Sequence, residues 1–187
     1  MADHISYGEF GVRFVHEAVT DERVADAIAA IAGGSVEVGP LSAGPGGLAR
    51  AGAKGRIGWP RIRADRDREP VTVAATLPVE LDLRVDVAGA SHRYRCDLEV
   101  ALRLVLRTAV PLALVVDVEP VRTADVTVAV EASGVRARVL QRVGNLEDEV
   151  RRHVAAFVAD RVSSDAAHDA RVIELLPLIN RAWSEGA

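Results

Sequence analysis

The residues able to do chemistry in this 187-residue chain are few. There is one cysteine, Cys96, and there are five histidines: His4, His16, His92, His153 and His168. A nucleophilic pair would need a histidine brought to Cys96 by the fold. His153 is the candidate, because it lies beside the apolar stripe of a C-terminal amphipathic segment. Cys96 itself falls on the apolar side of an alternating stretch, which predicts a small buried hydrophobe with an inert thiol. Ser163, Asp165 and His168 are too close in sequence to make a persuasive triad. Metal ligation is poorly served. No histidine has a second histidine four residues on, and "DAAHD", with Asp165, His168 and Asp169, reads as a solvated loop. "GAKGRIG" sets Lys54 among glycines, but no Ser or Thr follows the lysine as a phosphate loop requires. "GPGGLARAG" likewise lacks the dinucleotide spacing. These glycines read as turns and bulges between twisted strands. The expectation is therefore no catalytic residue, no metal and no cofactor.

Charge excludes little more. The net charge is −4, which does not suggest a polyanion partner. Arg50, Lys54, Arg56, Arg61, Arg63, Arg66 and Arg68 make a local basic patch, diluted by Asp65, Asp67 and Glu69. Aromatics are 4% of the chain, too few for the stacking that single-stranded nucleic acid needs. The Arg50–Arg68 region leaves room for peripheral contact with acidic head groups of a membrane. Lys54 is the only lysine, and the arginine excess reads as coding bias before it reads as phosphate recognition. "MADHISYGEF" has neither a basic nor an apolar secretory region, so the cytoplasm is the expected location.

The elements that would position such residues are legible from period. "LRLVLRTAVPLALVVDVEP" (102–120) is apolar enough to raise the question of a membrane span, but Arg103, Arg107 and Asp117 interrupt it. Its period is also two. From Tyr94, the positions Cys96, Leu98, Val100, Leu102, Leu104 and Leu106 alternate with Arg95, Asp97, Glu99, Ala101, Arg103, Val105 and Arg107. That is a long strand with one wet face. Leu77, Val79, Leu81, Leu83, Val85 and Val87 alternate with Glu80, Asp82, Arg84 and Asp86 in the same way. After Pro111, Leu112, Leu114, Val116 and Val118 share one face of a further strand. Val126–Ala132 and "SGVRARVLQRV" supply two more. No segment long enough for a helical crossover separates them, so an antiparallel meander is expected.

Helices flank this block. Thr20 is a candidate N-cap, with Asp21 and Glu22 in the first turn. Val24, Ala27, Ile28 and Ile31 form a stripe, and Gly33 closes the helix. "NLEDEVRRHVAAFVADRV" starts from Asn145. It carries Leu146, Val150, Val154, Phe157, Val158 and Arg161 at helical spacing. Residues 7–19 read as one short strand, and "RIRADRDREP" as a loop or strand end. "SSDAAHDA" reads as a break, and "RVIELLPLINRAW" as a last apolar segment interrupted by Pro177. The expected organisation is one α+β domain over residues 1–187. It comprises a helix at 20–32, Gly-rich strands at 33–63, long antiparallel strands at 70–143, a helix at 145–162 and a tail at 163–187.

Long antiparallel strands coil, so this sheet should wrap into a half-pipe around the C-terminal helix, with the N-terminal helix beside it. The pattern resembles the tubular lipid-binding superfamily, which includes the synaptotagmin-like mitochondrial lipid-binding domains and the bactericidal/permeability-increasing proteins. The resemblance is carried by "TDERVADAIAAIAG", "LEVALRLVLRTAVPLALVVDVEPV" and "ADVTVAVEASGVRARVLQRVGNLEDEVRRHVAAFVADRV" and spans roughly residues 20–162. It rests on hydrophobic patterning and departs from the family in the short length, the Gly-rich 33–58 stretch and the Pro177 tail. It implies a non-enzymatic binder or carrier of a lipid or other apolar molecule. A helix-grip barrel, which in some proteins serves as a polyketide cyclase, is the rival fold, and a closed structural domain is the third reading. On the carrier reading the ligand would meet Leu81, Leu83, Val85, Cys96, Leu98, Val100, Leu102 and Leu104 on the two longest strands. It would also meet Leu112, Leu114 and Val116 on the next strand, and Val150, Val154 and Phe157 on the helix.

Overall fold

The computed structural model describes residues 3–43, 49–66, 69–87, 89–131 and 146–185. Two strands form its spine, β4 (Val71–Val87) and β5 (Ala90–Ala109), joined through a turn in which Gly89 takes a positive φ of 81°. They pair antiparallel along the whole of β4, from Val71 opposite Leu106 to Val87 opposite Ala90. Alternation does what period two requires: Val73, Leu77, Leu81, Leu83 and Val85 on β4, and Cys96, Leu98 and Val100 on β5, are all buried.

Each spine strand is shared by two shorter partners on its outer side. β2 (Ala49–Ile57) pairs the second half of β4 and β3 (Arg61–Asp65) the first half. β7 (Val126–Glu131) pairs the first half of β5 and β6 (Ala113–Val118) the second half. β1 (Ser35–Ala43) extends the sheet beyond β2, and β8 (Val172–Glu174) extends it beyond β6. The sheet is thus antiparallel throughout, as expected, but it forks at both spine strands rather than running as a simple meander. Gly55 fits one tight seam in it, since a Cβ there would lie 2.0 Å from the Glu80 carbonyl oxygen.

The sheet curls into a half-barrel, and α3 (Leu146–Val162) packs against both β1 and β7, which bridges its two sides. Arg151 Nε donates to the Val126 carbonyl at 3.0 Å, pinning the first half of α3 to the start of β7. Leu146, Val150, Val154, Ala155 and Val158 are its buried residues. The helix α2 (Asp21–Ala32) has the expected ends: Thr20 Oγ1 accepts from the Arg23 N–H at 3.3 Å, and Gly33 caps it at φ 74°.

Four sequence expectations are corrected. Residues 7–19 are not a strand but a helix, α1 (Tyr7–Ala18), capped by Ser6, whose hydroxyl accepts from the Glu9 N–H. "RIRAD" is a full strand, β3. "SSDAAHDA" does not break the structure but builds α4 (Asp165–Arg171), capped by Ser164, with Ala167 buried. Pro177 does not interrupt the tail, because it falls in the first turn of α5 (Leu176–Glu185), where its missing N–H has no helical partner to lose. The strand expected in "SGVRARVLQRV" and the Asn145 cap lie outside the described residues. No helix among the described residues is long and apolar enough to cross a membrane.

The corner between α1 and α2 is tied down by arginines. Arg66, just past β3, donates to the Val19 carbonyl from Nε at 3.3 Å and ion-pairs with Asp21. His16 Nε2 lies 2.8 Å from the Arg66 carbonyl. These contacts hold α2 over the end of the sheet where the cavity described next is found.

Candidate functional site

A partly open apolar cavity of about 140 Å³ lies where α2, the end of α3, α4 and the late part of the spine meet. The sheet contributes Leu102, Leu104 and Leu106 from β5, Leu77 from β4, Val116 and Val118 from β6, and Ile57 from β2. The α2 stripe contributes Val24, Ala27, Ile28 and Ile31, and α3 contributes Phe157, Val158 and Val162. The chain beyond α3 adds Ala167, Ala170 and Ile173, the last two exposed, so the space stays partly open. Three charged side chains are part of the lining: Arg23, Arg161 and Arg171.

The local sequence explains each wall. Alternation sends Leu102, Leu104 and Leu106 inward, while Arg103 and Arg107 point to water. Arg107 pairs there with Asp117 at 3.0 Å. Helical spacing puts Val24, Ala27, Ile28 and Ile31 on one face of α2. Phe157 and Arg161 stand one turn apart on α3, and the Arg161 guanidinium lies 5.3 Å from the Phe157 ring centroid, a cation–π contact.

The fourteen expected ligand-binding residues separate into groups. Leu102, Leu104, Val116 and Phe157 line the cavity. Leu81, Leu83, Val85, Cys96, Leu98, Val100, Val150 and Val154 are no more than 2% exposed and lie in the packed core away from it. Leu114 is buried without lining it. Leu112 has the inward parity of β6, but the chain turns at 110–112, and it stands 47% exposed. The expected set lacks the α2 stripe, the α4 and β8 residues and the three arginines. One signal for them is present in the sequence: Arg161 falls on the apolar stripe of α3, where a charge needs a reason.

The candidates for chemistry are not assembled. Cys96 is wholly buried, whereas His153 is on the exposed side of α3. Burial pushes the Cys96 thiol up to about 12, with Asp97, Glu147 and Asp82 adding to the effect. Asp165, His168 and Asp169 lie along α4, and no group of three or more metal-ligating side chains gathers among the described residues. No buried residue among them is polar or charged. Among the described residues the cavity lining has no Asp, Glu, His, Ser, Thr or Cys.

Four of the seven basic residues of the Arg50–Arg68 patch are ion-paired, and Arg68 lies outside the described residues. Lys54 pairs with Glu37, Arg56 with Glu80, Arg61 with Glu99 and Arg66 with Asp21. Away from the cavity, Arg84 and Ser91 both hydrogen-bond Asp86 and hold its carboxyl below the usual range, the Ser91 contact having the larger effect. No protein-family model matches this chain, and no curated protein matches it in sequence.

Proposed function

We propose that this protein binds a small apolar molecule in the cavity between α2, α3 and the late spine, as a cytoplasmic carrier or sensor and not as a catalyst. The observation that carries the reading is the partly open apolar pocket itself. Its volume is close to that of an apolar cavity of about 150 Å³ that takes up benzene. Every lining residue is apolar except Arg23, Arg161 and Arg171. The size favours a ring or short chain over a long acyl tail, since pockets for drug-sized ligands run to about 300–1,000 Å³. The resemblance to tubular lipid-binding proteins points the same way, with a shorter tube. The single buried thiol suits a reducing compartment.

The test has two arms. Native mass spectrometry of freshly purified protein should show a non-covalent adduct of small-molecule mass. Thermal melting with benzene or toluene should raise the transition by a few degrees, as a ligand tenfold above its Kd adds about 1.4 kcal/mol. Bare protein in the first arm together with an unmoved transition in the second overturns the reading.

A further inference from the structure

The cavity lining is apolar except for three arginines, two of them, Arg23 and Arg161, exposed to solvent, and that combination selects a ligand class. Arg23, Arg161 and Arg171 come from three separate helices and converge on one void, with no carboxylate in its lining. None of the three is ion-paired among the described residues, although nearby arginines are: Arg66 pairs with Asp21 and Arg152 with Glu149. Two have anchoring duties to neutral groups. Arg23 donates to the Glu17 and Ala18 carbonyls, each at 3.1 Å, and Arg171 donates to the Val162 carbonyl. Carbonyls do not cancel the charge, and a guanidinium has five N–H donors, so both keep donors to spare. Arg161 is different. Its guanidinium has no hydrogen-bond acceptor among the described residues and rests only over the Phe157 ring, itself part of the lining. The ring holds the cation against the lining with its donors uncommitted.

We infer that the ligand is an amphipathic oxyanion, with a short apolar body in the void and a carboxylate or phosphate held by Arg161, supported by the charges of Arg23 and Arg171. The inference rests on the cavity-binding reading above and adds the head group. Planar guanidinium donors match carboxylate and phosphate oxygens in pairs, which a point charge does not.

The experiment is a calorimetric titration of the full chain with four probes sharing one six-carbon tail: hexanoate, hexyl phosphate, hexanol and hexylamine, at neutral pH. Both anions, or one of them, should bind about tenfold or more tightly than hexanol, roughly 1.4 kcal/mol. Hexylammonium should bind more weakly than hexanol. The tighter anion identifies the head group, and its advantage should shrink as salt is raised. Arg161→Gln should weaken the favoured anion about tenfold and weaken hexanol by much less, so that the anion's advantage over hexanol is lost. Equal binding of hexanol and both anions overturns the oxyanion inference while leaving the cavity reading in place. Preference for hexylammonium overturns it as well, and failure of all four probes to bind overturns both. If Arg161→Gln alters folding, the comparison of anions with hexanol on the unaltered protein still decides.

Discussion

Leu98 and Leu104 stand on the same face of the same strand and have similar neighbours in the sheet. Leu98 lies between Val79 on β4 and Val128 on β7, and Leu104 between Val73 on β4 and Val118 on β6. Yet Leu98 is sealed in the core, and Leu104 borders a void. The difference comes from what lies over the sheet. The first half of α3 is pinned to β7, which pairs the Leu98 end of β5, and it buries Leu146, Val150 and Val154. Over the Leu104 end the cover comes from pieces: the end of α3, the α2 stripe and the short α4. A single continuous helix can mesh with the sheet, whereas several separately anchored elements leave a gap. Identical residue types therefore make core at one end and cavity wall at the other.

The largest effect should come from charging the packed end. Leu98→Asp buries an unpaired carboxylate and should abolish folding, while Arg103→Asp, on the wet face, should stay within about 0.5 kcal/mol of the unaltered protein. Circular dichroism melts of the two variants check this, and similar melts would break the assignment of faces. Truncation separates the two ends more finely. Leu98→Ala should cost about 3–5 kcal/mol because it opens a new cavity, and Leu104→Ala about 2 or less because it enlarges a space already present. Urea midpoints at constant slope measure both, and equal losses would mean that the ends are packed alike.

Filling should reverse the order. Val100→Phe forces extra volume into close packing and should cost about 1–3 kcal/mol. Val116→Phe grows into the void, so it should leave stability within about 1 kcal/mol and abolish uptake of benzene. Melting with and without benzene reads both quantities, and retained benzene binding in Val116→Phe would place the ligand elsewhere.

The smallest effect is a pH response confined to the packed end. The Cys96 thiol is raised from an ordinary 9.0 to about 12 in the folded protein. Its folded form keeps the proton where the unfolded chain has lost it. Stability from this group is thus level below pH 9 and falls above it, by at most about 1.4 kcal/mol over each pH unit. Denaturation at pH 8, 9 and 10 should show the decline, and Cys96→Val should remove that component. An identical decline in both proteins would assign it to other groups.

Much of this fold is legible in the order of the residues. The inward parity of Leu77–Val87 and Tyr94–Leu106 follows from strict alternation, and α2 follows from Thr20, its stripe and Gly33. α1 is disguised as a strand because Gly8 and Gly11 lower helix propensity, although Ser6 followed by Glu9 is a helix-start signal. α4 is hidden by its polar composition and shortness, and β8 by distance, since nothing within Val172–Glu174 announces that it returns to pair with Ala113–Val115. For the site, Leu102, Leu104, Val116 and Phe157 are legible because they lie on periodic stripes. Arg23 and Arg171 are not, because an arginine on a surface helix is ordinary until its neighbours across space are known.

The sequence by itself determined which side of each long strand faces inward, because that depends only on the identity of alternate residues along one segment. It also determined that the interior would be aliphatic, with Cys96 among it. Only the tertiary structure decided where that interior closes and where it stays open. A void is the mismatch between surfaces carried by segments far apart in the chain, here α2, α3, α4 and the late spine, and no single segment encodes it. The convergence of three arginines on that void has the same origin, since each is placed by the docking of its own helix.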